Sequence, residues 1–148
     1  FQQKCLRENV ETVLKNNNMN KKFAPYEIAL AMEELGFKEF GRAYFMKPIK
    51  AGNNMPSGLH FGTSKFSNRL PAPTFQEALD WFEDEHSIYV DRTVHTSVNE
   101  VLDFEYRLKS WMFPPVEIKF EDPYDCFDRY KARVACLEKM IEITKTQK

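Results

Sequence analysis

Residues 101–111 read VLDFEYRLKSW. Leu102, Phe104, Tyr106 and Leu108 alternate with Asp103, Glu105, Arg107 and Lys109. A period of two places the apolar set on one side of a strand and the charged set on the other, so one face is covered and one is wet. Residues 87–94, SIYVDRTV, are rich in β-branched side chains and predict a strand before it. TSVNE between the two runs supplies a hairpin connection. VEIKF (residues 116–120) alternates as well, after Pro114 and Pro115, and predicts a third strand. Earlier in the chain, RAYFMK (42–47) predicts a short strand. LHFGTSKF (59–66) predicts another, weakened by Gly62. NRLPAP (68–73) reads as the end of that region.

Helical spacing fills the gaps. Leu6, Val10, Val13 and Leu14 predict a helix near residues 4–15. KNNNMNKK then breaks it, because asparagine favours turns. Ile28, Met32 and Leu35 line one face of a second helix, with Pro25 in its first turn and Gly36 and Phe37 as a glycine-capped end. APTFQEALDWFEDEHSIYV (72–90) holds a third, opened by the capping box Thr74 and Glu77. The last is expected to be one helix of about five turns. Asp122 caps it, Pro123 takes its first position, and Cys126, Phe127, Tyr130, Val134, Leu137 and Ile141 share one arc as a buried stripe.

The element order is therefore α-α-β-β-α-β-β-β-α. It predicts a single α+β domain over residues 1–148. Two layers are expected, a mainly antiparallel sheet of about four or five strands with helices packed on one face. The 43% hydrophobic content, with thirteen Phe, suffices for a core in a chain of 148 residues.

Charge changes this picture in one place. Residues 1–72 carry 11 Lys/Arg against 6 Asp/Glu, and residues 73–148 carry 10 against 16. No acid occurs between Phe40 and Gln76, while Arg42, Lys47, Lys50, Lys65 and Arg69 fall inside that stretch. The whole chain is no polyanion binder, but this segment is a candidate. Three cysteines without CxxC spacing argue against a disulfide framework or a zinc ribbon. A reducing compartment, the cytoplasm, is expected. No run approaches the ~20 apolar residues of a membrane span, so no membrane partner is expected. The chain starts at Phe1, and the native start is expected to be missing.

The closest approach to active-site chemistry is Glu83, Asp84, Glu85 and His86. On a helical wheel Asp84 points about 160° from His86 and Glu85 about 100°, so only Glu83 can reach the imidazole. The group reads as a charged helix end. Glu121, Asp122, Asp125 and Asp128 read as capping acids rather than as a divalent-metal cluster. No nucleophile, zinc or phosphate-loop motif is present. Trp81 and Trp111 read as partly buried aromatic edges. No cofactor and no bound metal are expected.

The succession YEIALAMEELGFKE, APTFQEALDWFEDEHSIYV, the wet-faced strand and DPYDCFDRYKARVACLEKMIEI resembles small uncharacterised proteins encoded by phages, prophages and mobile elements of Bacteroidetes-type bacteria. The likeness spans residues 25–145, and its most specific pieces are APTFQEALDWF and CLEKMIEI. It implies a cytoplasmic accessory protein and no particular activity. The expected function is non-enzymatic, an accessory or interaction protein with an unknown protein partner. Two alternatives stand beside it. One is an enzyme whose site assembles only in three dimensions. The other is binding of single-stranded nucleic acid or another anion through Lys47, Lys50, His60, Phe61, Lys65, Phe66 and Arg69, where aromatics among cations suit stacking on bases.

Overall fold

Helix ends and strand alternation account for most of the architecture. The computed structural model describes residues 21–39, 41–47, 58–62 and 68–147. The helix expected over 4–15, Cys5, Lys50, Lys65 and Phe66 lie outside the described residues. Helix α1 spans Tyr26–Glu34, with Pro25 as its extended N-cap. Its far end closes as the sequence suggests. Gly36 has φ +112°. The amide of Phe37 donates to the Met32 carbonyl at 2.9 Å and that of Gly36 to Glu33 at 3.0 Å. This is the Schellman closure, and Met32 and Phe37 are both fully buried beside it.

Three short strands follow: β1 (Ala43–Met46), β2 (His60–Phe61) and β3 (Arg69–Pro71). They form an antiparallel sheet in the order β2-β1-β3. Strand β3 falls in NRLPAP, which reads from sequence as the end of a region. Pro71 is tolerated because of its register. Backbone bonds run from Ala72 N–H to the Ala43 carbonyl and from Lys47 N–H to the Asn68 carbonyl. Position 71 therefore turns away from β1, and β3 is an edge strand that needs no N–H there. Ala43, Phe45, Leu70 and Ala72 pack with Phe23 and Ala29 into a small separate core.

Helix α2 spans Phe75–His86, and Glu77 N–H donates to Thr74 Oγ1 at 3.1 Å as the capping box requires. It buries Phe75, Ala78 and Phe82. Ser87 then takes the left-handed conformation, φ 54°, and ends the helix.

Strands β4 (Tyr89–Ser97), β5 (Glu100–Ser110) and β6 (Phe113–Glu117) make a second antiparallel sheet in the order β4-β5-β6. The hairpin turns at Val98 and Asn99, with Asn99 at φ 65°, a conformation asparagine accepts readily. The register slips between His95 and Thr96, leaving Leu102 as a bulge. Strand β6 starts before its two prolines rather than after them. Its register with β5 breaks between Leu108 and Ser110, and as an edge strand it tolerates the lost donors.

Two expectations need correction. The described strands form two three-stranded sheets, not one sheet of four or five. Helix α2 separates them in the chain, and the first sheet closes its own core against α1. Nor is the last helix continuous. A 3-10 turn spans Pro123–Phe127, Asp128 is extended (φ −84°, ψ 106°), and α3 begins afresh over Arg129–Thr146. Each segment has its own acidic cap. Asp122 accepts from Tyr124 N–H at 2.9 Å, and Asp128 from Tyr130 N–H at 3.0 Å and Lys131 N–H at 3.3 Å. The break rotates the buried stripe. Ala132, Cys136, Leu137, Met140, Ile141 and Thr144 are buried, whereas Phe127 is 44% exposed.

The class is α+β with antiparallel sheets. α1, α2 and α3 meet β5 in the main core, where Met32, Phe37, Phe75, Phe82, Ile88, Leu108, Leu137 and Met140 are fully buried. Burial lifts the Cys136 thiol to about 12. Among the described residues no helix is long and apolar enough to cross a membrane.

Candidate functional site

The basic segment is only partly assembled by the described structure. Tyr44 projects from β1 opposite His60 of β2, and their rings stack 5.4 Å apart at 15°. The Arg69 guanidinium lies over the same phenol ring, 4.3 Å from its centroid. His60, Tyr44 and Arg69 thus share the phenol as a stacking centre. Tyr44 is not among the residues the sequence singles out, because the stack depends on β3 lying beside β1, which the sequence does not show. Phe61 is on the other face, exposed, with its ring edge-on to Phe23 at 5.8 Å. Lys47 is not part of the stack. Its ammonium bridges to Glu33 of α1 at 2.5 Å, so an acid distant in sequence neutralises it. The described structure therefore brings His60 and Arg69 together, and places Phe61 and Lys47 apart from them.

The charged end of α2 stays dispersed. Glu83, Asp84 and Glu85 are exposed, while the His86 ring sits edge-on to Trp81 at 4.9 Å and against Phe82. Three of the four acids near residue 122 have structural roles. Asp122 and Asp128 are caps, and Asp125 holds Lys131 at 3.1 Å, an ion pair that raises the lysine's pKa. Among the described residues no group of three His, Cys, Asp or Glu could hold a metal ion. Trp81 is wedged between Phe37 and Phe82, as expected of a partly buried edge, but Trp111 is 82% exposed at the β5–β6 turn.

A larger feature lies at the outer half of the β4–β5 hairpin. A cleft of about 800 Å³ is bounded by Leu102–Glu105 of β5, by residues 117–120, and by Pro123, Tyr124, Cys126 and Phe127 of the 3-10 turn. Phe127 closes one wall by meeting Phe104 edge-on at 5.2 Å. On the wet face His95 Nε2 lies 3.0 Å from Glu105 and 3.9 Å from Asp103. Arg107 grips the other Glu105 oxygen at 2.6 Å. The His95 hydrogen bond first, and then Arg107, hold the Glu105 carboxyl below its ordinary range. Cys126 borders the cleft, but its thiol is buried and donates to the Pro123 carbonyl at 3.1 Å. The cleft thus pairs apolar walls with a carboxylate-rich rim. The strand alternation made its residues legible. Its depth depends on the break at Asp128, which was not.

No family model, no curated protein and no solved structure matches this chain.

Proposed function

We propose that this chain is a non-enzymatic interaction protein, an accessory of a phage or other mobile element, and that it meets a protein partner through the outer half of the β4–β5 hairpin and the adjoining cleft. One observation carries the reading. The same two strands that bury Tyr106 and Leu108 expose Val94, Val101 and Leu102 further out, and the turn residue Val98 is 91% exposed. A run of apolar side chains left uncovered at the end of a projecting hairpin marks a contact surface. The test is a photo-crosslinking residue placed at Val98 in cells that carry the gene, with Glu85, exposed at the end of α2, as the control position. A discrete protein adduct from position 98 and none from position 85 is expected. Equal labelling from both positions overturns the reading.

A second reading has its own observation. The His60–Tyr44–Arg69 stack offers an aromatic and cationic surface of the sort that holds single-stranded nucleic acid. It would enlist Lys47, Lys50, His60, Phe61, Lys65, Phe66 and Arg69. The Lys47–Glu33 bridge counts against it, because a neutralised lysine releases few counterions. Fluorescence anisotropy with single-stranded DNA and RNA decides. Binding that weakens steeply with salt and is lost in Tyr44→Ala supports it, and no binding at low salt removes it.

A further inference from the structure

The cleft follows an edge of β5 rather than a face. Both faces of the strand contribute to its lining: Leu102 and Phe104 from the inner face, Asp103 and Glu105 from the wet one. Strand β6 shows why the edge is open. Its register, Arg107 with Glu117 and Leu108 with Val116, continues into a bond from Ile118 N–H to the Tyr106 carbonyl at 2.9 Å. Tyr106 and Leu108 therefore turn their backbone polar groups toward β6. The two-residue repeat of a strand puts the N–H and C=O of Phe104 on that same side.

Beyond Ile118 the chain leaves the edge. Phe120 packs edge-on against Tyr106, 6.0 Å between centroids, and the 3-10 turn follows. No strand among the described residues pairs with Phe104 on that side. The bulge at Leu102 closes the far end. What remains is a walled slot about three residues long, roughly 10 Å at the rise of a strand.

We infer that this slot takes an extended peptide segment of a partner protein by strand addition, and that the segment alternates apolar and basic residues. This rests on the interaction reading above and supplies the partner's chemistry. In strand addition the main chain provides the bonds and alternate side chains provide the selection. The Phe104 N–H donates to the peptide and its carbonyl accepts from it. On the inner side, incoming side chains meet Leu102 (56% exposed), Phe104, Phe127 and Tyr124, which suits apolar groups. On the wet side they meet Asp103 and Glu117, beside a Glu105 that Arg107 already holds at 2.6 Å, with Lys119 the one lysine or arginine in the lining. That balance favours cations. It also disfavours a second copy of this chain across the same edge, because Asp103 and Glu105 would then face their own duplicates, and like charges opposed across strands are destabilising.

The test uses the whole chain, isotope-labelled, titrated with an acetylated and amidated hexapeptide of alternating valine and lysine. Two companions serve as controls, one N-methylated at alternate amides and one with glutamate in place of lysine. Saturable binding is expected, with shifts confined to the cleft and at least tenfold slower amide exchange at Phe104. The N-methylated peptide should not bind, and the glutamate peptide should bind at least tenfold more weakly. Asp103→Lys should narrow that gap, and Asp103→Asn provides a milder check should the reversal perturb folding. Equal binding of the N-methylated peptide overturns strand addition. So does Phe104 protection that grows with protein concentration alone, which would signal pairing of two copies. A Val98 cross-link to a protein without any binding of the valine–lysine peptide overturns this inference and leaves the interaction reading standing.

Discussion

The two halves of β5 follow one rule and meet different fates. Tyr106 and Leu108 are buried under α3 and its neighbours, and the Tyr106 hydroxyl donates to the Cys126 carbonyl at 3.4 Å. Leu102, on the same face of the same strand, is more than half exposed. The alternation is unbroken from Leu102 to Leu108, so the pattern is not what separates them. Cover separates them. The helices reach as far as Tyr106, and beyond it the 3-10 turn, through Phe127 and Tyr124, and the Arg92 guanidinium, 4.4 Å from the Phe104 centroid, attend the inner face without covering Leu102. A period-two pattern shows which side chains share a face. It does not show how far along the strand that face is covered.

The sharpest way to break this contrast is to truncate on the covered side. Leu137 is fully buried in α3 among the residues that cover β5. Leu137→Ala should cost about 2–5 kcal/mol in denaturant unfolding, the range for a large core residue with incomplete collapse. A variant that unfolds like the parent would put α3 outside the core.

Alkali probes the same side. Burial lifts Cys136 from its ordinary 9.0 to about 12. Below about pH 9 both folded and unfolded chains keep the proton, and stability is whole. Above it the unfolded chain ionises while the folded one resists, so stability falls across the window from 9 to 12. The loss is on the order of 4 kcal/mol at its limit. Burial raises Tyr106 and Tyr130 too, which act in the same direction at higher pH. Cys136→Ser should flatten the first part of the curve. An unchanged slope would show that the thiol does not control it.

A smaller effect sits at the junction of the two regions. Asp128→Ala removes the acceptor for two amides at the start of α3 and should cost about 1 kcal/mol. It also loosens the break that sets Phe127 against Phe104, so the Phe127 ring resonances should shift. A variant as stable as the parent would mean that water replaces the cap fully. Smallest of all, Leu102→Ala should change stability by no more than about 0.5 kcal/mol, as for an exposed position. A loss of core size would show that the outer half is packed after all.

Much of the fold was legible because local chemistry decides it. The Gly36 closure, the Thr74 cap, the hairpin at Val98–Asn99 and the faces of β5 all follow from side chains within a few residues of one another. What was not legible depends on distance or on competition. NRLPAP hides β3, since three residues ending in proline form a strand only because β1 lies alongside. Pairing into two sheets is set by which strands meet, which alternation does not encode. Asp122 and Asp128 are both good caps. Read together as acids of one first turn they suggest a single helix, whereas each in fact starts its own segment. The candidate site inherits these limits. Asp103, Glu105 and Phe104 are visible as strand residues, but the slot beside them exists because β6 leaves the edge and the Asp128 break brings Phe127 back to it. In the basic segment, Lys47 looked unopposed because its partner, Glu33, sits fourteen residues away on α1.

Native-state hydrogen exchange, resolved by residue along β4 and β5, tests the division between covered and presented halves most directly. The amides of Arg107 and Leu108, in the β4–β5 and β5–β6 ladders, should exchange only at a free energy near that of global unfolding. Those of the outer half, from Val94 through Leu102, should exchange through local openings of clearly lower free energy. Uniform protection along the whole hairpin, equal to global stability, would contradict the account and make the outer half part of the core.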